Sequence, residues 1–276
     1  MTFKSLMVHL ELGGDNAGQL KVTGDLAERF KANVIGIAAC QPIRPIYEEG
    51  FVAGDILTQD RAEISKELAT VEAQFREALK GKAAGLEWRS TITYDSLADY
   101  VAEQARAADL IITGRDIGGA LTDNTRRVHI GDLAMRAGKP ILIVPQGISA
   151  LSLNHVFVGW KDARESRRAA QDALPLLKAA AHVTVLEVTA DDHVRHAKAH
   201  VHDVAAWLKT HQITGEPVAI SAPKMEASGL HKALREGKCD LLVAGAYGHN
   251  RLSEWVFGGV TQDILLDPDY CVLISH

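Results

Sequence analysis

Cysteine is scarce in this sequence: the three that occur among 276 residues, Cys40, Cys239 and Cys271, lie far apart without CxxC spacing. This pattern predicts neither a disulfide framework nor a cysteine-based zinc site, and it is typical of reduced, buried thiols. Long apolar runs are also lacking, because none approaches the roughly 20 residues needed to span a bilayer. Positive charge is not in excess, since the formal net charge is −5, which argues against a dedicated nucleic-acid binder.

The first residues do not show the pattern of an export signal. The stretch MTFKSLMVHLELGG begins a strand-like pattern at once and has no signal-peptide cleavage region. The composition, 47% hydrophobic and 24% charged, is that of a globular protein with enough length for two domains. We therefore expect a cytoplasmic protein that binds neither membranes nor nucleic acid.

Four short apolar blocks occur twice, in the same order, which indicates an internal repeat. Residues 5–10, 32–37, 109–114 and 139–144 match residues 155–160, 181–186, 240–245 and 269–274. The first half carries additional residues between positions 41 and 68, because the offset between matching blocks shortens there.

Each block has the pattern of a strand that is buried on both faces of a parallel sheet. Helical patterns separate the blocks, at residues 16–30, 64–80 and 97–107 in the first half and 164–180, 194–211 and 229–236 in the second. A middle strand in each half, at residues 87–93 and 217–221, completes five strands per half. We predict an α/β fold with two tandem, open, five-stranded parallel-sheet domains, residues 1–149 and 150–276.

A glycine-rich stretch follows the fourth strand of the second half. It reads VAGAYGHNRLSEWVFGGVTQDIL over residues 243–265 and carries Gly245, Gly248, Gly258 and Gly259 before a helical pattern. Glycines let an anion approach the free amides of a helix N-terminus, so the stretch is a candidate phosphate loop. The alternative is that these glycines serve turns only.

The spacing Gly245-x2-Gly248-x9-Gly258, continued as Gly259-Val260-Thr261, resembles the nucleotide loop G-x2-G-x9-G-[ST] of universal stress proteins. The resemblance extends over essentially the whole chain, since both halves are similar to the five-strand domain of that family. It implies a tandem member with Rossmann-like, adenine nucleotide alpha hydrolase-like domains. It also implies a cytoplasmic stress-survival protein that binds ATP or AMP, with or without Mg, often without robust catalysis.

The resemblance assigns the nucleotide to the second half. Adenine would lie near the ends of the first two strands, at Trp160 and Val188. The phosphate-side residues would be Gly245, Gly248, His249, Arg251, Gly258, Gly259, Val260 and Thr261. Two positions depart from the family pattern. Gly259 replaces a Ser or Thr, which removes one hydroxyl contact to phosphate, and Lys161 stands near a common Asp. Lys161 could favour phosphate or be a solvated turn residue.

The first half has lost the pattern of a phosphate loop. When Gly131 is aligned with Gly258, Asp132 stands opposite Gly259 and Ala134 opposite Thr261. Ile117 also replaces the second loop glycine. A carboxylate at that helix N-terminus would repel phosphate although it suits the helix dipole. We therefore expect one nucleotide per chain.

The resemblance also implies how the halves associate. Domains of this family usually pair through their last strands, here residues 141–144 against 272–274, which would form an intramolecular pseudo-dimer. A homodimer remains open, and the residues indicate neither a protein partner nor a stress signal.

Other patterns carry weaker signals. His193, His196 and His200 share a helical face, and His196 and His200 have the i, i+4 spacing of zinc helices. No HExxH glutamate accompanies them, so a solvated polar face is favoured over a metal site. His9 and Glu11, at the end of the first strand, are either site residues or a structural polar pair.

No catalytic residue is predicted. The sequence has no GxSxG serine, no Walker A lysine loop and no SGGxDS pattern. A slow ATPase remains one alternative function. The other is a nucleotide-free stress protein that acts through protein contacts.

Overall fold

Strands and helices alternate along the chain in both halves. The computed structural model describes residues 2–43, 54–115, 125–222, 226–246 and 269–276. The first half contains β1 (Ser5–His9), α1 (Ala17–Phe30), β2 (Asn33–Cys40), α2 (Gly54–Leu79), β3 (Leu86–Ile92), α3 (Leu97–Gln104), β4 (Leu110–Gly114), α4 (Ile130–Ala137) and β5 (Ile141–Val144). The second half contains β6 (His155–Gly159), α5 (Arg164–Asp172), α6 (Leu174–Leu177), β7 (His182–Thr189), α7 (Val194–Thr210), β8 (Gly215–Ser221), α8 (Glu226–Glu236), β9 (Leu241–Gly245) and β10 (Cys271–Ser275).

The ten strands of the described residues form one sheet in the order β3-β2-β1-β4-β5-β10-β9-β6-β7-β8. Neighbouring strands within each half are parallel. The two predicted five-stranded parallel sheets are therefore confirmed, and the structure joins them edge to edge. Strand order reverses between β1 and β4 in the first half and between β6 and β9 in the second.

The two halves meet through an antiparallel ladder between β5 and β10. Leu142 lies opposite Leu273, flanked by the pairs Ile143–Val272 and Ile141–Ile274. This is the pairing that the family resemblance implied. We call this ladder between β5 and β10 the seam. Leu142 and Leu273 are both fully buried, so the seam is part of the core.

The ladder also corrects the sequence match of the last block by one residue. Ile141 lies opposite Ile111, and Val272 lies opposite Leu242, the counterpart of Ile111. Val272, not Cys271, is therefore the counterpart of Ile141. With this shift the seam is symmetric about the Leu142–Leu273 pair. The apolar runs match equally well in either alignment, so only strand pairing distinguishes them.

Helices cover both faces of the sheet. One apolar cluster joins the strands to α1, α2, α5, α6 and α7, and the other joins them to α3, α4 and α8. In parallel sheets covered on both faces, strands become continuous apolar runs, which is why their positions are visible in the sequence. No helix in the described parts of the chain is long and apolar enough to cross a membrane.

The helix α2 begins earlier than predicted. Its expected start was residue 64, but it begins at Gly54, so the additional residues of the first half partly extend this helix. Ile64 is the first buried residue of α2, whereas Ile56 is 57% exposed. The preceding turns have no buried face and therefore show no apolar periodicity. The three cysteines are free, with Cys40 and Cys271 buried and Cys239 partly exposed.

We expect Leu273→Ala to destabilise the whole protein, because the substitution leaves a cavity at the centre of the seam. Truncation of a buried leucine costs about 2–5 kcal/mol. Ile56→Ala removes an exposed side chain and should change the free energy of unfolding by no more than about 0.5 kcal/mol. Urea unfolding of both variants measures the difference, and equal stabilities would contradict the role of the seam in the core.

Candidate functional site

The two points where strand order reverses are the positions at which open α/β sheets bind ligands, beyond the carboxyl ends of the strands. In the first half this crevice lies beyond β1 and β4, and in the second half beyond β6 and β9. Because the halves share one strand order, the same backbone positions border both crevices. Their side chains differ.

Side chains of the first half fill its crevice. His9, the last residue of β1, is buried, and its Nδ1 lies 3.1 Å from the Thr113 hydroxyl on β4. The other ring nitrogen, Nε2, is buried and has no hydrogen-bond partner among the described residues. Burial lowers the pKa of His9 to about 4, because a charged imidazole would lose its hydration. The Gln19 amide lies over Gly114 at the end of β4, and its Nε2 occupies the space that a Cβ on this glycine would need.

An apolar cluster closes the neighbouring part of this crevice. Its buried residues are Leu12, Ala38, Cys40, Ile64 and Leu68. Leu12 comes from the loop between β1 and α1, and Ile64 and Leu68 come from α2. The end of β2 is therefore covered by side chains of the chain itself.

The helix α4 places Asp132 where the sequence comparison expected it. Asp132 lies in the first turn, and its amide donates to His129 Nδ1, which caps the helix. Ala134 is buried in the same helix. Ile117 lies outside the described residues.

The corresponding crevice of the second half is bordered by small residues. Gly159 is the counterpart of His9, and Ala244, opposite Gly159, is the counterpart of Thr113. No side chain longer than a methyl group projects from these two positions. The pair His9 and Thr113, which we call the plug of the first half, therefore has no equivalent at them.

Gly245 ends β9 for a packing reason. A Cβ at this position would lie 2.6 Å from the backbone of Glu165 and Ser166, at the start of α5. Gly245 pairs with Ser275 in the sheet, and its φ angle is not positive. The close approach of α5, and not a special backbone conformation, requires glycine here.

A short turn connects β6 to α5 beside this crevice. The Trp160 amide donates to the Leu186 carbonyl oxygen at 2.7 Å and so extends the ladder with β7. The Lys161 amide donates to the Ser166 hydroxyl at 3.3 Å. Trp160 packs against the core, and its indole Nε1 is buried without a hydrogen-bond partner in the described structure.

A buried carboxylate, which the sequence analysis missed, lies next to this turn. Glu187 on β7 is only 8% exposed, and its carboxylate accepts from His200 Nδ1 on α7, with an N–O distance of 3.1 Å. Burial raises the pKa of Glu187, against the opposing effect of the His200 hydrogen bond. Its counterpart in the first half is Ala38. An alignment of β2 with β7 could have identified Glu187, because it places a glutamate opposite an alanine.

Solved structures with this architecture cover nearly the whole chain. A universal stress protein from Archaeoglobus fulgidus matches with a TM-score of 0.75 and 11% identity, over 98% of this chain and 97% of that one. A functionally unknown protein from Pseudomonas aeruginosa matches with a TM-score of 0.63 and 14% identity, over 99% and 92%. A second P. aeruginosa protein, provisionally named a universal stress protein, matches with a TM-score of 0.63 and 15% identity, over 99% and 93%.

The chain has the universal stress protein fold. No protein-family model matches the sequence, and no curated protein matches it significantly. At identities this low, the similarity shows the fold and nothing finer. It bears out the fold class that the repeat and the glycine spacing predicted.

Within this universal stress protein fold, four of the predicted site residues are described. Trp160, Lys161 and Gly245 lie at the carboxyl edge near the start of α5, whereas the Val188 side chain packs on the opposite face, against the cluster that includes α8. The remaining predicted residues lie outside the described residues: Gly248, His249, Arg251, Gly258, Gly259, Val260 and Thr261.

The histidine face of α7 does not form a ligand cluster. Among the described residues, no group of three or more His, Cys, Asp or Glu side chains is arranged to hold a metal ion. His200 contacts Glu187, while His196 is exposed. Glu11, the other strand-end candidate, lies 3.8 Å from Arg127 Nε.

We expect the plug of the first half to make stability pH-dependent. The pKa of His9 falls from 6.5 to about 4 on folding, so the unfolded chain binds the proton more tightly. The stability that neutral His9 contributes is fully present above pH 6.5 and is lost as the pH falls towards 4. At about 1.4 kcal/mol per pKa unit, the loss is about 3 kcal/mol.

Urea unfolding of wild type and His9→Leu at pH 7 and pH 4.5 measures this effect. The loss of stability on acidification should be smaller in His9→Leu. The control His202→Leu replaces an exposed histidine. The same pH dependence in wild type and His9→Leu would show that His9 does not titrate as its burial requires.

Proposed function

We propose that this protein binds one adenine nucleotide, ATP or AMP, with or without Mg, at the carboxyl edge of its second half. The two halves would act as domains, residues 1–149 and 150–276. The first domain keeps the fold without the site. Together they form an intramolecular pseudo-dimer through β5 and β10.

The difference between the two crevices supports this proposal most strongly. His9 and Thr113 occupy one switch point, whereas Gly159 and Ala244 border the other. An open α/β sheet binds ligands at this point, so the half without the plug is the candidate.

The N-terminus of α5 offers backbone amides beside the turn after β6, where Asp162 balances the charge of Lys161 and the first helical turn carries Glu165. Lys161 lies in this turn, and α5 begins beside it with Ala163 as an N-cap that has no side-chain hydrogen bond. A helix N-terminus carries partial positive charge, which an uncapped first turn offers to a ligand. The neighbouring Trp160 has a buried Nε1 without a hydrogen-bond partner among the described residues.

The glycine-rich stretch would supply the phosphate contacts. We propose this role for Gly245, Gly248, Gly258, Gly259 and Thr261, with His249, Arg251 and Val260 beside them, because their spacing is that of the family loop. Trp160 and Val188 would lie near adenine. The same resemblance supports a cytoplasmic role in stress survival.

We expect the double variant Gly159→His, Ala244→Thr to abolish nucleotide binding. It transfers the plug of the first half to the second, and the imidazole would occupy the space of the ligand. Titration calorimetry should give about one ATP or AMP per chain for wild type and no binding for this variant, with circular dichroism confirming its fold.

The reciprocal double variant His9→Gly, Thr113→Ala is the matched control. It should keep one nucleotide per chain, because Leu12 and the apolar cluster around Ala38 still close the first crevice. Two equal sites in wild type, or full binding by the plugged second half, would overturn the proposal.

We expect Gly259→Ser to tighten ATP binding by roughly tenfold and AMP binding by less. The added hydroxyl would donate one charge-assisted hydrogen bond to a terminal phosphate that AMP lacks. Affinities of both ligands for wild type and variant, measured by calorimetry, test the alignment of this loop with the family pattern. A folded variant that improves neither affinity would refute that alignment.

A further inference from the structure

Glu187 is not required by the fold. The strands β2 and β7 are equivalent, and the position that is Glu187 in β7 is Ala38 in β2, where it is fully buried among apolar residues. The same backbone is therefore stable with a methyl group at this position. Burying a carboxylate loses hydration that its partners must replace.

The partners of Glu187 leave most of its hydrogen-bonding capacity unused. Among the described residues its carboxylate has one donor, His200 Nδ1, at 3.1 Å from one oxygen and 3.4 Å from the other. An ionised carboxylate offers about four acceptor sites. No Lys or Arg of the described chain forms an ion pair with it, and burial raises the pKa of Glu187.

Glu187 lies at the edge of the candidate crevice of the second half. The last residue of β6, Gly159, lies opposite Leu186, so Glu187 is the first residue of β7 beyond the end of β6. The turn after β6 starts beside it, since the Trp160 amide donates to the Leu186 carbonyl oxygen. The charges of Asp162 and Lys161, in that turn, act on the Glu187 carboxyl group.

We propose that Glu187 recognises the ribose of the bound nucleotide, and that its carboxylate accepts hydrogen bonds from the vicinal 2′- and 3′-hydroxyl groups. In the dinucleotide-binding Rossmann fold, an acidic side chain about 20 residues after the glycine-rich turn accepts a hydrogen bond from the ribose 2′-hydroxyl. Two adjacent hydroxyl donors match a carboxylate with free acceptor sites. This inference rests on the proposed function, which places the nucleotide beside β6 and β7.

His200 acts as the positioning residue. Its hydrogen bond to both carboxylate oxygens fixes the orientation of Glu187, and its side chain, 34% exposed, stays at the surface of α7. The arrangement predicts selection of ribonucleotides over 2′-deoxynucleotides. It also predicts rejection of nucleotides with a 2′- or 3′-phosphate, which a carboxylate would repel.

Calorimetric titration of the full chain with ATP and 2′-deoxy-ATP tests the inference. Wild type should prefer ATP by about tenfold or more, since a hydrogen bond to a charged group contributes at least about 1.5 kcal/mol. Glu187→Ala, which reproduces Ala38 of the first half, should bind ATP and 2′-deoxy-ATP with equal affinity. That affinity should be lower than the affinity of wild type for 2′-deoxy-ATP, because the variant also loses the hydrogen bond from the 3′-hydroxyl. Glu187→Gln, nearly the same in shape, should keep only a small preference and serves if the alanine variant does not fold.

Glu216→Ala is the control, because it removes an exposed carboxylate at the amino end of the neighbouring strand β8 and should keep the full preference. Equal affinities of wild type for ATP and 2′-deoxy-ATP would overturn the ribose assignment while leaving the nucleotide site in place. A preference that persists in Glu187→Ala and Glu187→Gln would do the same. A wild type that binds no nucleotide would overturn both proposals.

Discussion

The antiparallel ladder between β5 and β10 is the interaction on which the arrangement of both halves depends. Each half alone would expose the edge of a parallel sheet, with its row of unpaired backbone groups. Pairing the two edges satisfies these groups and buries Leu142 against Leu273 at the centre. The strands are parallel within each half and antiparallel across the seam. The carboxyl ends of the strands therefore point in opposite directions in the two halves.

This geometry lets the two crevices differ without affecting the core. The apolar clusters lie between the sheet and its helices, whereas the crevice positions lie where the strands end. At those ends the first half has His9 and the apolar contacts of Ala38, and the second half has Gly159 and Glu187. The crevice of the first half is filled, whereas the second half has small residues at the corresponding positions and a buried carboxylate beside them.

The low identity to solved structures has the same physical origin. A strand that is buried on both faces needs apolar residues of suitable volume, and many sequences meet that need. The fold is therefore shared at 11% identity over nearly the full length of both chains. Single side chains at the strand ends, such as Glu187, are not constrained by the packing of the core.

The sequence by itself determined the repeat, the five strands of each half and the edge at which a site can form, because buried strands and glycine spacing leave patterns along the chain. Only the tertiary structure decided that Val272 is the counterpart of Ile141, that His9 contacts Thr113 and that Glu187 is hydrogen-bonded to His200. These features join residues on different elements, and the His9 contact spans 104 positions. Apolar periodicity records which residues face the core and does not record which side chains meet there.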